Sequence, residues 1–585
     1  MERMNTRLRG FAAGMAVAVL VGACSGSTAS PSTPTGAGQK GGTAYLLMTT
    51  ATTGSDRFQD MDPQRIYTGE DEAFLGATIM QGLTAYKYST DTKVATTLVA
   101  DAATDTGTAN ADATQWVFTL RDGLKWQDGS AVTCADYKYG VSRTFATDVI
   151  TNGPTYVIND LNIPDKGYPG PYKATPDQQA LFDKAVVCDG NKITFNLKLG
   201  VSDFNYTTTL GMGAVPNPKD HPGVDTGEQY TNGPWSDGPY KIQSYTPGKS
   251  GDLTLVRNPN WNSANDGNYR GAYPDKWVVK LGLDPTVVDQ RLMQPSGDDS
   301  YALQYGAIQP ENLATIFSDA KTTNAQYAGR AFSDYDVYAR YYWIRTDKVT
   351  NVKIRQAMAV ALDRAALQAN AGGVFAGELA DGVIKPNLGQ DYAATGWATD
   401  LFGQPVPPNG DPVFAKKLIA ESGVAAPTLT FDYSKSPVAD KSAAIVKSSL
   451  EKAGFTINLN PITSGYYGFV QDPTKQHEFG TAGWGADWPN ASTVMPPLFT
   501  PDGGFALSRV SDQAWLDQVK AAGSDLNRAD QATKWQALNK QAAQQAFIIP
   551  TLFGLNQTMA GDKVGNLYRW APFGSWPYAQ IYLKQ

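Results

Sequence analysis

Between Thr428 and Ile462 the hydrophobic period changes twice, which restricts the fold more than any other stretch of the chain. Thr428 to Tyr433 alternates as a strand, and Pro437 to Ala453 places Ala439, Ala443, Val446 and Leu450 on one helical face. Gly454 then leads into a second strand, Phe455 to Ile462. Strand, helix and strand with short links call for a β-α-β unit, hence a mixed α/β protein.

Other segments fit that class. Trp116, Phe118 and Leu120 alternate with Val117 and Thr119 as in a half-buried strand. Asp122-Gly123 and Asp128-Gly129 signal turns, and Thr133-Cys134-Ala135-Asp136 fits a capping box opening a helix with Tyr137, Tyr139 and Val141. An apolar run ends at Cys188, before the turn Asp189-Gly190-Asn191 and a strand alternating Ile193, Phe195, Leu197 and Leu199. Asn152 to Gln178, rich in Gly, Pro, Tyr and Asp, reads as a long structured loop. Ser236 to Tyr240 makes a turn, and Asp252 to Arg257 a strand that stops at Asn258-Pro259-Asn260. Asn351 caps a helix whose apolar positions are Ile354, Met358, Ala361 and Ala365.

The first residues read as an export signal. Arg3, Arg7 and Arg9 precede an uncharged, mostly apolar run from Phe11 to Ala23, too short to span a bilayer comfortably. Leu20-Val21-Gly22-Ala23-Cys24 resembles a bacterial lipobox, in which the cysteine thiol is lipidated and becomes the new N-terminus. Ser25 to Lys40, built of Ser, Thr, Pro, Gly and Ala, lacks the apolar content to order itself and reads as a tether. With Cys24 set aside, Cys134 and Cys188 form an isolated pair, in an oxidising compartment more often a disulfide than two thiols.

The 585 residues suffice for about three or four domains. The net charge of −7 without a clustered basic face argues against nucleic acid as a partner. With 18% charged residues and 13 Trp, 29 Tyr and 22 Phe, the composition suits ligand capture, and equally many secreted enzymes. Catalytic and cofactor signatures are missing. Gly248-Lys249-Ser250 lacks the upstream glycine of a phosphate loop, because position 243 is Gln243. Gly211-Met212-Gly213 lacks the third glycine of a dinucleotide fingerprint, and neither a Gly-x-Ser-x-Gly elbow nor a His-Glu-x-x-His helix occurs. The two histidines, His221 and His477, lie far apart in sequence. No cofactor or metal is expected; a hydrolase built on a carboxylate pair stays open, since 56 acidic residues allow many pairs.

The segment WVFTLRDGLKWQDGSAVTCADYKYGVSR, Trp116 to Arg143, resembles the signature of the family 5 extracellular solute-binding proteins, the oligopeptide-, dipeptide- and nickel-binding components of ABC importers. Similar motifs follow the family's order: Asp62-Pro63, Gln81-Gly82-Leu83, Ser236 to Gly248, Val256 to Pro259, Val352 to Leu367, and GWGADWPN from Gly483 to Asn490. The resemblance implies a type II periplasmic-binding-protein-like fold of two lobes and three domains, closing by hinge motion over a ligand. Residues 1–23 would be the signal and 24–40 the tether. Domain I would take 41–84, 215–325 and 556–585, domain II 85–214, and domain III 326–555.

By the same resemblance the protein is a monomeric, non-enzymatic lipoprotein on the outer face of the cell membrane, held by its lipid anchor alone. It would capture short peptides for a permease with associated ATPases; oligosaccharides and metal chelates are the other cargoes relatives carry. In peptide-binding relatives an Asp of a Trp-x-x-Asp segment receives the ligand's amino terminus. The matching residue is Asp487, between Trp484 and Trp488, both able to flank a ligand or to pack in a core. Two positions depart from the pattern: Trp488-Pro489-Asn490 replaces the usual Asp-Pro continuation, and Arg345 stands where relatives often carry Asn.

Overall fold

The computed structural model describes residues 38–49, 58 and 60–585. The export segment, Cys24 and nearly all of the tether lie outside the described residues. Among the described residues no helix is long and apolar enough to cross a membrane.

A five-stranded sheet runs in the order Ala302–Tyr305, Thr43–Thr49, Lys276–Leu283, Asp252–Arg257, Tyr240–Thr246. Thr43–Thr49 is parallel to both of its neighbours, whereas the remaining pairs are antiparallel. Between Thr49 and Tyr240 the chain builds a separate antiparallel sheet, ordered Thr108–Ala109, Gln115–Thr119, Lys192–Asn196, Val186–Asp189. Its buried face presents Trp116, Phe118, Ile193 and Phe195, which pack with Tyr137 and Val141 of the helix Cys134–Arg143. Full burial of each such large side chain contributes about 1.5–3 kcal/mol.

The capping box at Thr133 forms as its sequence implies, with the Thr133 amide donating to Asp136 Oδ2 at 2.8 Å. Cys134 therefore sits in the first helical turn. There it is bonded to Cys188 on strand Val186–Asp189, 54 positions away, with 5.9 Å between the Cα atoms.

Three sequence expectations require correction. The strand after Cys188 ends at Asn196, and Leu199 is 76% exposed beyond it rather than buried in the alternation. Asn152 to Gln178 is not all loop: it holds the helix Tyr156–Asp160 and the first turn of Pro176–Ala185, the latter capped by Thr175. The apolar period from Ile354 to Ala365 belongs to two helices, because the Asp363 side chain accepts from the Ala366 amide and starts Arg364–Ala371 after Val352–Ala361 has ended.

The largest sheet has the order Gly377–Leu379, Ile548–Met559, Ala331–Ile344, Phe479–Gly485, Thr428–Ser434, Thr456–Ile462. Thr428–Ser434 and Thr456–Ile462 pair in parallel, and Pro437–Lys452 crosses between them, started by Ser436 and burying Ala443, Val446 and Leu450. Arg345 is structural. It pairs with Asp347 and donates from Nη1 to the Pro473 carbonyl at 2.7 Å.

The apolar residues collect on either side of a divide. Those of 44–305 and 560–583, joined by Trp488, fill one side in two main clusters, and the rest of those in 341–549 fill the other around the largest sheet. The result is a two-lobed, mixed α/β, periplasmic-binding-protein-like fold.

Candidate functional site

Four distant segments enclose a cleft of about 860 Å³: Tyr67–Glu72, Asp336–Tyr338, Gly483–Asp487 and Pro572–Gly574. The first enters with the helix Gly69–Thr78, whose opening turn carries Glu70, Asp71 and Glu72, the arrangement a helix dipole favours. Asp71 is turned inward, where the Tyr305 hydroxyl donates to it. Glu70 and Glu72 face the cleft.

Asp487 leaves the end of strand Phe479–Gly485 and lines the cleft. The Tyr156 hydroxyl donates to its Oδ2, and the Tyr67 hydroxyl supports it as well. Burial raises the Asp487 carboxyl above the ordinary range, and the two phenols only partly oppose that rise. Burial also pushes Glu72 up, and the charges acting on it, those of Asp487 and Asp71, are negative as well. Glu72 Oε1 is buried without a hydrogen-bond partner among the described residues. Glu70 is pushed up to about 7 by burial, against which Arg569 and the Tyr578 hydroxyl act. This wall of the cleft is thus short of positive charge. Carrying two or more carboxylates into a confined space is costly until a cation arrives.

The two tryptophans part company. Trp484 lines the cleft with its ring against Phe505 at 5.3 Å, and its indole N–H donates to the Thr493 carbonyl at 2.7 Å. Trp488 is 5% exposed and is not part of the lining. It donates to Asp203 Oδ2 at 2.9 Å, and its ring meets Tyr156 edge-on at 4.7 Å. It packs behind Asp487 and props up the tyrosine that holds that carboxylate.

The opposite wall carries a different balance. Asp336 accepts from Lys385 Nζ at 2.7 Å and from Arg340 Nη2 at 2.8 Å, so two cations share one carboxylate. Burial opposes ionisation of Asp336, yet Lys385 and Arg340 outweigh it and hold the carboxyl below its usual range. Lys385 also donates to the carbonyls of Tyr338 and Gly554, which fixes it as a clamp. Arg340 lines a second chamber of about 530 Å³, which shares Tyr338, Tyr467 and Gly483 with the cleft.

Sequence reasoning missed Glu72, Tyr67, Tyr156, Arg340 and Lys385. Only Tyr156 had a local signal, within a segment rich in aromatics. Lys385 gains its meaning from Asp336, 49 residues away, and Tyr67 and Glu72 from Asp487, 420 and 415 residues away.

Among the described residues no group of three or more His, Cys, Asp or Glu is placed to hold a metal ion. His221 packs among Trp126 and Trp235, and His477 contacts Asp432 at 2.7 Å.

A family model described as bacterial extracellular solute-binding proteins, family 5 Middle, matches residues 97–506. The chain is 22% identical over 427 residues to a probable D,D-dipeptide-binding periplasmic protein of Escherichia coli (strain K12), covering 71% of each. It is 24% identical over 500 residues to a periplasmic oligopeptide-binding protein of Salmonella typhimurium, covering 81% of this chain and 82% of that protein. Among solved structures, clavulanic acid biosynthesis oligopeptide binding protein 2 is similar with a TM-score of 0.75 and 23% identity, over 94% of this chain and 96% of that one.

Proposed function

The chain belongs to the bacterial extracellular solute-binding proteins of family 5, and on that premise we propose that it captures short peptides outside the cell and delivers them to the permease of an ABC importer. The observation that carries this reading is the setting of Asp487: a partly buried carboxylate in a cleft, held by phenol hydroxyls and facing a second carboxylate, Glu72. A peptide's α-ammonium supplies the missing charge. The peptide backbone can be met by strand-like hydrogen bonds indifferent to sequence, and an 860 Å³ space accepts varied side chains.

In this reading Asp487 receives the amino end, Trp484 flanks the ligand, and Trp488 acts from behind through Tyr156. The lobes, divided as domain I (41–84, 215–325, 556–585), domain II (85–214) and domain III (326–555), close over the ligand. Lipidated Cys24 and the tether keep the monomer at the membrane surface, and the importer's ATPases supply the energy. The protein turns nothing over. Mass spectrometry of small molecules co-purifying with the mature protein tests the proposal. Peptides of a few residues are the expected finding; recovery of an oligosaccharide or a metal chelate in their place overturns it.

A further inference from the structure

Beside the cleft lies a small pocket of about 60 Å³, and the two share Glu72 and Phe573 in their walls. One side of the pocket is the face of helix Gly69–Thr78 that carries Glu72, Ala73, Gly76 and Ala77. Glycine is a poor helix former. Gly76 nevertheless has no positive φ, and a Cβ on it would meet nothing within 4 Å. Neither backbone conformation nor packing demands this glycine. Its effect is to keep the pocket open.

The other walls offer ring surface and negative charge. Tyr269, Tyr88, Trp570, Phe573 and Tyr86 follow one another with ring centroids 5.0, 4.4, 5.3 and 5.6 Å apart. Their polar edges are committed elsewhere: the Tyr269 hydroxyl donates to the Tyr86 carbonyl at 2.7 Å, and the Trp570 indole N–H to the Lys87 carbonyl at 3.0 Å. Arg270, also in the wall, donates to both oxygens of Asp101 at 2.6 and 2.8 Å and meets Asp266 at 3.5 Å, so carboxylates outnumber it. Glu72 Oε1 is buried without a hydrogen-bond partner among the described residues, and none of the charges acting on this carboxylate is positive. A peptide's α-ammonium at Asp487 leaves Glu72 still without a partner of its own. Aromatic rings around a carboxylate favour an ammonium ion, which the ring faces attract.

Resting on the peptide-capture reading above, we propose that Glu72 and the aromatic pocket beside it form a second ammonium site, which takes the aminoalkyl side chain of the peptide's first residue. Glu72 meets the side-chain ammonium, and the rings cover the methylenes that lead to it. The protein then selects peptides that begin with a residue of the lysine or ornithine class. The size agrees: one water needs about 10–15 Å³ of such space. The 60 Å³ present admits the end of a linear amine and is too small for a ring.

The test presents the full-length protein with pools of short peptides, random except at the first position, which is lysine, norleucine or Nε-acetyl-lysine, and compares capture by native mass spectrometry. Lysine-first peptides should be captured at least about tenfold better than either of the others, the low end for a hydrogen bond to a charged group. Glu72→Gln should bring that ratio close to one. Gly76→Leu is the second variant: helical side chains lean toward the helix N-terminus, so the leucine lies over Glu72, one turn earlier, and closes the pocket. It should abolish the lysine preference without lowering the thermal midpoint. A free amine is the other source of such an ammonium. Binding of n-butylammonium that Glu72→Gln abolishes, with no preference among the pools, overturns the side-chain assignment. Equal capture of the three pools, or a lysine preference that survives in both variants, overturns this inference and leaves peptide capture standing. Failure to capture any pool overturns both.

Discussion

The hydroxyl of Tyr156 donates to the carboxylate of Asp487 across 331 residues of chain, and this bond ties the second sheet's surroundings to the end of a strand in the largest sheet. It favours the charged form of the carboxylate, while burial, the larger effect, works the other way. Tyr156→Phe removes the donor and leaves the ring on Trp488. A hydrogen bond to a charged group contributes about 1.5–3 kcal/mol, so affinity for a bound peptide should fall roughly ten- to a hundredfold at neutral pH. Titration calorimetry with the co-purified peptide measures it. Unchanged affinity would mean that the phenol is only packing.

The raised carboxyls give binding a pH dependence of definite sign. Asp487 and Glu72 lie above their ordinary values, and Glu70 reaches about 7, so in the ligand-free protein protons are retained at pH where free carboxylates have lost them. An arriving ammonium favours the charged forms and expels those protons. Affinity for free-ended peptides should therefore rise as pH increases from about 5 to 7. Near pH 6 the calorimetric enthalpy should also shift with the ionisation enthalpy of the buffer, reporting proton release. Linkage gives a second sign: a group with a raised folded pKa holds more protons folded than unfolded. For Glu70 the ligand-free protein should then lose stability as pH rises from 4.5 to about 7. Proton uptake on binding would contradict the assignment.

The bond between Cys134 and Cys188 closes a loop of 54 positions within the residues that pack around Trp116 and Phe195. Chain-entropy reasoning assigns such a loop about 4 kcal/mol, restricted to that core. Reductant, or Cys134→Ser with Cys188→Ser, should lower the thermal midpoint while peptide binding at 25 °C persists, because neither sulfur lines the cleft. Differential scanning calorimetry with and without reductant decides it. Two freely alkylatable thiols in the untreated native protein would contradict the bond.

On the proposed lipid anchoring at Cys24, Cys24→Ala should move the protein from the membrane fraction to the medium or periplasm with its peptide affinity intact, since every residue lining the cleft lies later in the chain. Fractionation followed by immunoblotting checks this. Continued firm membrane attachment would refute the lipobox reading.

The fold was legible where the signal is local. The crossover from Thr428 to Ile462 shows in its own periodicity, and the capping box at Thr133 shows in four residues. Where a competing local signal was weak, the reading slipped. Tyr156–Asp160 is five residues long without a side-chain cap, so it merged into a loop, and Tyr156 was lost with it. The Asp363 cap lay inside an unbroken apolar period and hid a helix boundary. For the site, Asp487 and Trp484 stood in a recognisable segment. Arg340 was not legible, because its place opposite Gly483 is set by strand register between segments more than a hundred residues apart. Trp488 could not be assigned from sequence either, since its burial depends on Asp203 and Tyr156 from the other lobe.

The central claim is that Asp487 meets a peptide's ammonium, and a thermodynamic cycle tests it most directly. Asp487→Asn keeps the shape and an acceptor for Tyr156 but removes the charge, and N-acetylation removes the charge of the ligand. Titration calorimetry of both proteins with one peptide in free and acetylated form gives the coupling. The account predicts that either change alone costs about 2–5 kcal/mol, roughly thirty- to several-thousandfold in affinity, and that the second adds little once the first is made. Equal weakening of free and acetylated peptides by Asp487→Asn, or no weakening of either, would contradict it.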